Sequence, residues 1–419
     1  MDTAPVLDGN QRLGSPANLC GPAGPDPRRG RLSAIQADNS PMTPIFILAE
    51  ARGESEARFN STLIGASGIE LLRMMGEAGL IDFSPVDRDL IHRYYQSTDN
   101  KHVMAVWNNH PECHRTNVFN IHPPGNDLRH FLGPKSTALG GYPNLVLPKG
   151  KSKLTPGGNF IRAEFAPELE RLGDELLEHN PNLVVCLGNV ALWALTGKTG
   201  ITKLRGTTLA SVLTVSDFKL LPTYHPAAVL RNYDLRPTVI ADLMKAKRES
   251  THAEIRRPQR EIWIEPGLED IQRFIELHIH RCSLLSVDIE TSGTRITCIG
   301  LAPTSGIAIV IPFDDERAKD GSYWPSGRDE NGCWQLIRGV LEDASIPKLF
   351  QNGLYDIAFL WRSMRIKVMG AEHDTMLLHH ALQPESLKSL GYLGSIYSDE
   401  GSWKGMRRRE KTTTIKRDA

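Results

Sequence analysis

Ser286-Val287-Asp288-Ile289-Glu290-Thr291 is the stretch on which the reading of the second half turns. It closes an apolar run, CSLLSVDIE (282–290), whose length suits a buried strand. Residues i and i+2 of a strand point to the same face. Asp288 and Glu290 therefore project side by side, and two neighbouring carboxylates repel unless a cation lies between them. Oxygen ligands of this kind suit a hard divalent ion, Mg²⁺ or Mn²⁺. Asp356, in Asn352-Gly353-Leu354-Tyr355-Asp356, is the next candidate ligand, because it stands at a strand-to-helix turn that can aim a carboxylate at the strand ends. Around these residues the pattern predicts helices over 268–279, 334–343, 355–364 and from 373 onward. It predicts strands over 282–290, 294–303, 306–313 and 348–352. A strand meander followed by strand–helix alternation implies a mixed sheet flanked by helices.

Toward the N-terminus the pattern changes. IFILA (45–49) and NLVVCLG (182–188) are continuous apolar runs, and FKLLPTYHPAAVLR (218–231) is a strand entering a loop. Between them lie a helix lined by Ile69, Leu71, Leu72, Met75 and Leu80, a strand in TNVFNIHPPGN (116–126), and helices over 169–180, 190–197 and 237–248. Alternation of this kind predicts a mostly parallel sheet covered on both faces. Residues 1–42 are rich in Pro, Gly, Asn and Asp and are expected to be a disordered tail. The charged segment 249–261 reads as a linker between domains over 43–248 and 262–419. The 419 residues carry 49 basic and 49 acidic side chains, which excludes a uniformly basic nucleic-acid coat but leaves local patches open. No apolar stretch is long enough to span a membrane, and no secretory leader is seen. Six scattered cysteines without a CxxC pair suit a reducing, cytoplasmic setting.

Three segments of the second half, VDIETSG, FQNGLYDIAFL and HDTMLLHHALQPESLKSLGYLGSIY, resemble in order the proofreading 3′–5′ exonuclease domain of DNA polymerase I, a member of the DEDD superfamily with an RNase H-like fold. The resemblance implies catalytic and metal-ligating roles for Asp288, Glu290 and Asp356, substrate binding by Asn352, and a two-metal site. It also implies a third motif, a Tyr or His four residues before an Asp. After Tyr397 only Asp418 offers the acid, with Thr414 in the aromatic position, so the domain is expected to stop short of that motif. Asp374 is expected to cap a helix or to support the site from behind, and His379 and His380 to be core or surface residues.

In the first half, ILAEARGESE, TLIGASG, TNVFNIHPPGN, KLRG and LPTYHPAAVLR resemble the uracil-DNA glycosylase superfamily, nearest its bacterial family 4 pattern. The implied fold is a three-layer α/β/α domain. Glu50 and His225 would be catalytic, Glu50 by holding water near the sugar and His225 by donating to the base oxygen that gains charge. Asn117 would grip the Watson–Crick edge of a flipped base, Leu63 would stand where the family stacks a Phe on the base, and backbone amides near Gly53 and Gly65–Gly68 would approach phosphate. Leu230 and Arg231 would touch the duplex. Ile121 replaces one cluster-ligating Cys, so no iron–sulfur cluster is expected. The reading is thus a two-domain α/β protein of DNA replication or repair acting on DNA, on single strands, 3′ ends or uracil-containing sites. Its expected partner is a polymerase or a polypeptide that supplies the third motif. The alternative is a non-catalytic DNA-binding module or a split fragment of a polymerase I-like protein.

Overall fold

The computed structural model describes residues 44–145, 159–212 and 216–398. The predicted tail over 1–42 and the segment containing Thr414 and Asp418 lie outside them.

The first sheet contains β1 (Ile45–Ala51), β2 (Cys113–Phe119), β3 (Leu183–Leu187), β4 (Leu209–Ala210) and β5 (Lys219–Thr223), in the order β2-β1-β3-β5-β4. The first four in that order run parallel, with Ile45 opposite Cys113 and Leu183. Only β4, at one edge, is antiparallel. Alternation explains why β1 is apolar throughout. Ile45, Ile47 and Ala49 face one helical layer while Phe46 and Leu48 face the other. The first layer contains α1 (Ala66–Glu77), α3 (Asn100–Asn108) and α6 (Arg236–Glu249); the second contains α4 (Ala166–His179) and α5 (Gly188–Thr196). α2 (Pro85–Ser97) and α3 were not anticipated from sequence. α2 is polar on most of its surface and buries only Asp87 and Tyr94, so its apolar period is weak. Its start is set instead by Ser84 and Asp87, which cap each other's backbone amides before Pro85.

The second sheet contains β6 (Glu261–Ile264), β7 (Leu285–Ser292), β8 (Arg295–Thr304), β9 (Ile307–Pro312), β10 (Lys348–Phe350) and β11 (Ala371–Asp374), in the order β11-β10-β7-β8-β9-β6. β8 runs antiparallel to both neighbours and the other pairings are parallel. This is a mixed sheet. Leu285, Val287 and Ile289 pack in the core with residues of α7 (Leu268–Phe274), α8 (Gly327–Glu342) and α9 (Gly353–Met364). By the two-residue period, Ser286, Asp288 and Glu290 occupy the opposite face. The helix expected from residue 373 begins later: 371–374 form β11, and Asp374 caps α10 (Thr375–Leu382). A further helix, α11 (Leu390–Tyr397), closes the described chain.

The segment read as a linker is tied down at its start. α6 continues to Glu249, and the buried Lys219 ammonium donates to the carbonyls of Glu249, His252 and Glu254 at 2.6–3.1 Å. Among the described residues no helix is long and apolar enough to cross a membrane.

Candidate functional sites on the two sheets

In the first half, the C-terminal ends of the parallel strands bring three distant residues together. Glu50 closes β1, Gly188 follows β3, and His225 follows β5. Gly188 has φ +88°, and a Cβ there would lie 2.5 Å from Glu50 Oε1 and 3.2 Å from His225 Cβ. Only glycine allows both the backbone turn and this approach. Burial pushes the Glu50 carboxyl up to about 7, against the opposing pull of the Val190 amide at the start of α5 and of Arg231. Burial, reinforced by Arg231, holds the His225 imidazole down at about 4. His225 Nδ1 accepts from the Ala227 amide at 3.2 Å, so the neutral ring carries its proton on Nε2. The pair is a neutral donor beside a carboxyl poised near neutral pH. Arg231 lies on the same rim, and Leu230 is 49% exposed beside it.

Other expected first-half contacts are used internally. Asn117 is 1% exposed. Its Nδ2 donates to Thr62 Oγ1 at 3.3 Å and to Glu56 Oε2 at 3.5 Å, while its Oδ1 has no partner among the described residues. Glu56, which the sequence reading passed over, organises this corner. Its carboxylate accepts from the Gly53 amide at 3.1 Å and the Leu63 amide at 2.7 Å. This corrects the expectation that the Gly53 amide faces phosphate; its proton is already taken. Leu63 is likewise corrected as a stacking platform. It is 1% exposed, its side chain belongs to the core, and its carbonyl accepts from Trp107 Nε1 at 2.9 Å. Gly68 answers a packing need, since a Cβ would sit 1.6 Å from the Leu63 carbonyl oxygen. The spacing of Glu56 from Gly53, a capping box, was the local signal that could have shown this.

The KLRG segment also has another task. Arg205 pairs with the buried Asp242, donates to Ser395 Oγ of α11 at 2.8 Å and lies over the Tyr392 ring.

In the second half, β10 pairs with β7 only at Leu285 and Ser286. Beyond that point the edge of β7 is open, and Asp356 from the first turn of α9 accepts the Ile289 amide at 3.2 Å. Asp356 is 5% exposed, and its carboxyl is pushed up to about 6, first by burial and further by the charges of Asp288 and Asp374. Asn352 caps α9 in the left-handed region (φ 62°). The Asn352 and Gly353 amides donate to Asp374 at 3.1 and 2.7 Å, and Asp374 also accepts from Met376 at 2.8 Å. Asp374 thus joins two helix starts. His379 is buried, with Nδ1 3.0 Å from the Tyr397 hydroxyl.

The expected trio of Asp288, Glu290 and Asp356 is assembled only in part. Among the described residues no three His, Cys, Asp or Glu side chains stand close enough to hold a metal ion. Asp288 and Asp356 interact, but residues two apart on a strand are separated by roughly 6.6 Å, and backbone spacing alone does not draw Glu290 in. The donor chemistry, carboxylate oxygens only, still fits a hard divalent cation.

Comparison with known proteins gives three kinds of similarity. Residues 37–247 match the family described as the uracil DNA glycosylase superfamily. Over 247 residues the chain is 24% identical to a DNA polymerase of Bacillus phage SP01, an alignment covering 52% of this chain and 25% of that protein. The chain thus spans about a quarter of that polymerase. Among solved structures, Brucella melitensis NrnC is 18% identical over 35% of this chain and 63% of its own (TM-score 0.24). Trypanosoma brucei RNase D is 15% identical over 29% and 40% (TM-score 0.24), and the EXD2 exonuclease domain, soaked in Mn, is 15% identical over 29% and 58% (TM-score 0.22).

Proposed function

The chain belongs to the uracil DNA glycosylase superfamily, and from that premise we propose that its first half recognises a flipped nucleobase in DNA and cleaves the N-glycosidic bond. The observation that carries this reading is the convergence of Glu50 and His225 around Gly188. As the bond to C1′ breaks, the base leaves with the bonding electrons, and charge develops on its carbonyl oxygen. His225 Nε2–H donates to that oxygen, and a neutral donor there avoids the cost of burying an imidazolium. Glu50 orients water at C1′ and takes its proton, which a carboxyl titrating near 7 can do at neutral pH. Asn117 Oδ1, buried and unpaired, is the acceptor we assign to the base N–H. Uracil is the proposed substrate. The test is abasic-site formation on uracil-containing oligonucleotides. His225→Ala should lower the rate about 10²–10³-fold, with EDTA without effect. An unchanged rate in that variant would remove the assignment.

A second reading, favoured by the Asp288–Asp356 pair, is metal-dependent 3′–5′ exonuclease chemistry in the other half. Asp288, Glu290 and Asp356 would hold Mg²⁺ or Mn²⁺, which when bound would activate water and neutralise charge on the leaving oxygen. The proposed partner is a polymerase acting on the same strand. Nucleotide release from labelled single strands that depends on Mg²⁺ or Mn²⁺ and disappears in Asp288→Ala is the expected result. Release that survives both EDTA and Asp288→Ala would discard it.

A further inference from the structure

A cavity of about 540 Å³ lies along β2; neither Glu50 nor His225 lines it. Among the described residues β2 is an edge strand, paired only with β1. Ten buried side-chain polar atoms among the described residues have no hydrogen-bond partner. Five of them belong to residues that line this one cavity; His114 Nε2 and Glu175 Oε2 face each other at 3.6 Å and His110 Nε2 faces Asp87 at 3.5 Å, which leaves Arg52 Nε and Asn120 Oδ1. Buried polar atoms are normally paired, so a guanidinium nitrogen and an amide oxygen left without partners on one cavity wall point to a polar ligand.

The charges on its wall choose the class of ligand. Arg115 projects from β2, donates through Nε to the Thr62 carbonyl at 2.9 Å and through Nη2 to Ser61 Oγ at 3.3 Å, and lies 4.9 Å over the Trp107 ring. Those contacts fix the guanidinium plane without neutralising it. Neither Arg115 nor Arg52 has a carboxylate within ion-pair distance among the described residues. The one acid on the wall, Glu175, is already matched. Burial pushes its carboxyl up, but His114 and Arg171, the latter 2.6 Å away, outweigh burial and hold it at about 2. Two guanidinium groups without a direct ion pair, one of them pre-oriented and both within reach of the Glu56 charge, with an amide beside them, suit an anion with several oxygens. Because Arg115 covers the Trp107 face, the cavity offers no open ring for a base to stack on.

We propose that this cavity is a phosphate-binding site, for the phosphate of a nucleotide or of a polynucleotide backbone. Arg52, two residues after Glu50, lines it, so a strand held here would pass next to the β1 rim. The site is defined by its own residues and does not depend on base excision taking place.

The experiment measures thermal shifts and binding isotherms of the full chain at fixed ionic strength. The probes are inorganic phosphate, thymidine 5′-monophosphate, thymidine and an unmodified oligothymidylate. Phosphate and the monophosphate should raise the melting temperature relative to chloride while thymidine does not. Arg115→Gln should weaken binding about 10–100-fold, the usual effect of losing a charge-assisted hydrogen bond. Arg115→Lys should restore part of it, and Arg52→Gln, which removes no side-chain hydrogen bond or ion pair among the described residues, gives an independent reading should Arg115→Gln not fold. Binding of the oligonucleotide but not of inorganic phosphate would assign the site to the backbone, and binding of both to phosphate in general. No response to any phosphate probe, or affinities unchanged in Arg52→Gln and Arg115→Gln, would overturn the proposal.

Discussion

At the residue scale, Glu50 and His225 are displaced in opposite directions by the same burial. Glu50 keeps its proton to about pH 7 in the folded chain, against an ordinary value of 4.5. Protonation therefore favours the fold, and this contribution is full below about pH 4.5 and fades as the pH rises through 7. His225 works the other way. Its contribution is present above its ordinary 6.5 and is lost as the pH falls toward 4. Glu50→Gln should therefore gain stability over the parent as the pH is raised from 4.5 to 7, by on the order of 1–2 kcal/mol after allowance for partial solvent access. Urea midpoints across that range would show it, and parallel curves for the two proteins would contradict it. If the variant also loses an excision rate that rises with an apparent pKa near 7, the same carboxyl serves as base.

At the scale of elements, glycines set how closely segments approach. Gly68→Ala would force the start of α1 off the Leu63 carbonyl, since the new Cβ has 1.6 Å where ordinary contact needs more than twice that. A loss of at least about 2–3 kcal/mol is expected, read as a lower melting temperature. Gly188→Ala carries backbone strain at φ +88° and pushes on Glu50 and His225 together. It should lower both stability and the proposed excision activity, whereas Gly173→Ala, on α4 with open space around it, should leave both nearly unchanged. In the second half, Asp374→Ala removes one acceptor from the starts of α9 and α10 at once. We expect about 1–2 kcal/mol of destabilisation, with protection from amide exchange lost in both helices. Loss in α10 alone would show that Asp374 is a simple cap.

At the scale of the molecule, α11 from the second half is held against the first. Arg205, paired with Asp242, reaches Ser395, and the Thr238 and Tyr392 hydroxyls lie 2.8 Å apart. The Lys245 ammonium donates to Gly206 and Ser398 carbonyls at 2.8 and 2.9 Å. Gly206 leaves room for this, as a Cβ there would meet the Ser395 carbonyl at 2.9 Å. Tyr392→Phe with Ser395→Ala removes two side-chain contacts across the junction, each worth about 1 kcal/mol. Faster proteolysis near α11, with the first half unchanged, is the expected result. Asp242→Ala is a different case. It strands the buried Arg205 and should cost about 3–5 kcal/mol across the junction and the first half alike.

Much of this was legible along the chain. The continuous apolar runs of β1 and β3, the meander of β7, β8 and β9, and the placement of Asp288 and Glu290 on one face all follow from backbone periods of two and 3.6 residues. Those periods are local, so sequence alone determines them. Which donor meets which acceptor was decided only by packing. Asp356 finds the Ile289 amide 67 residues away because β10 diverges from β7, and Asn117 meets Thr62 across 55 residues of intervening chain. The Gly53 amide was free to face a ligand until Glu56 turned back on it, and Arg205 until α11 arrived. A buried hydrogen-bonding group takes a partner brought near by the fold, and the order of residues does not by itself determine which partner that is.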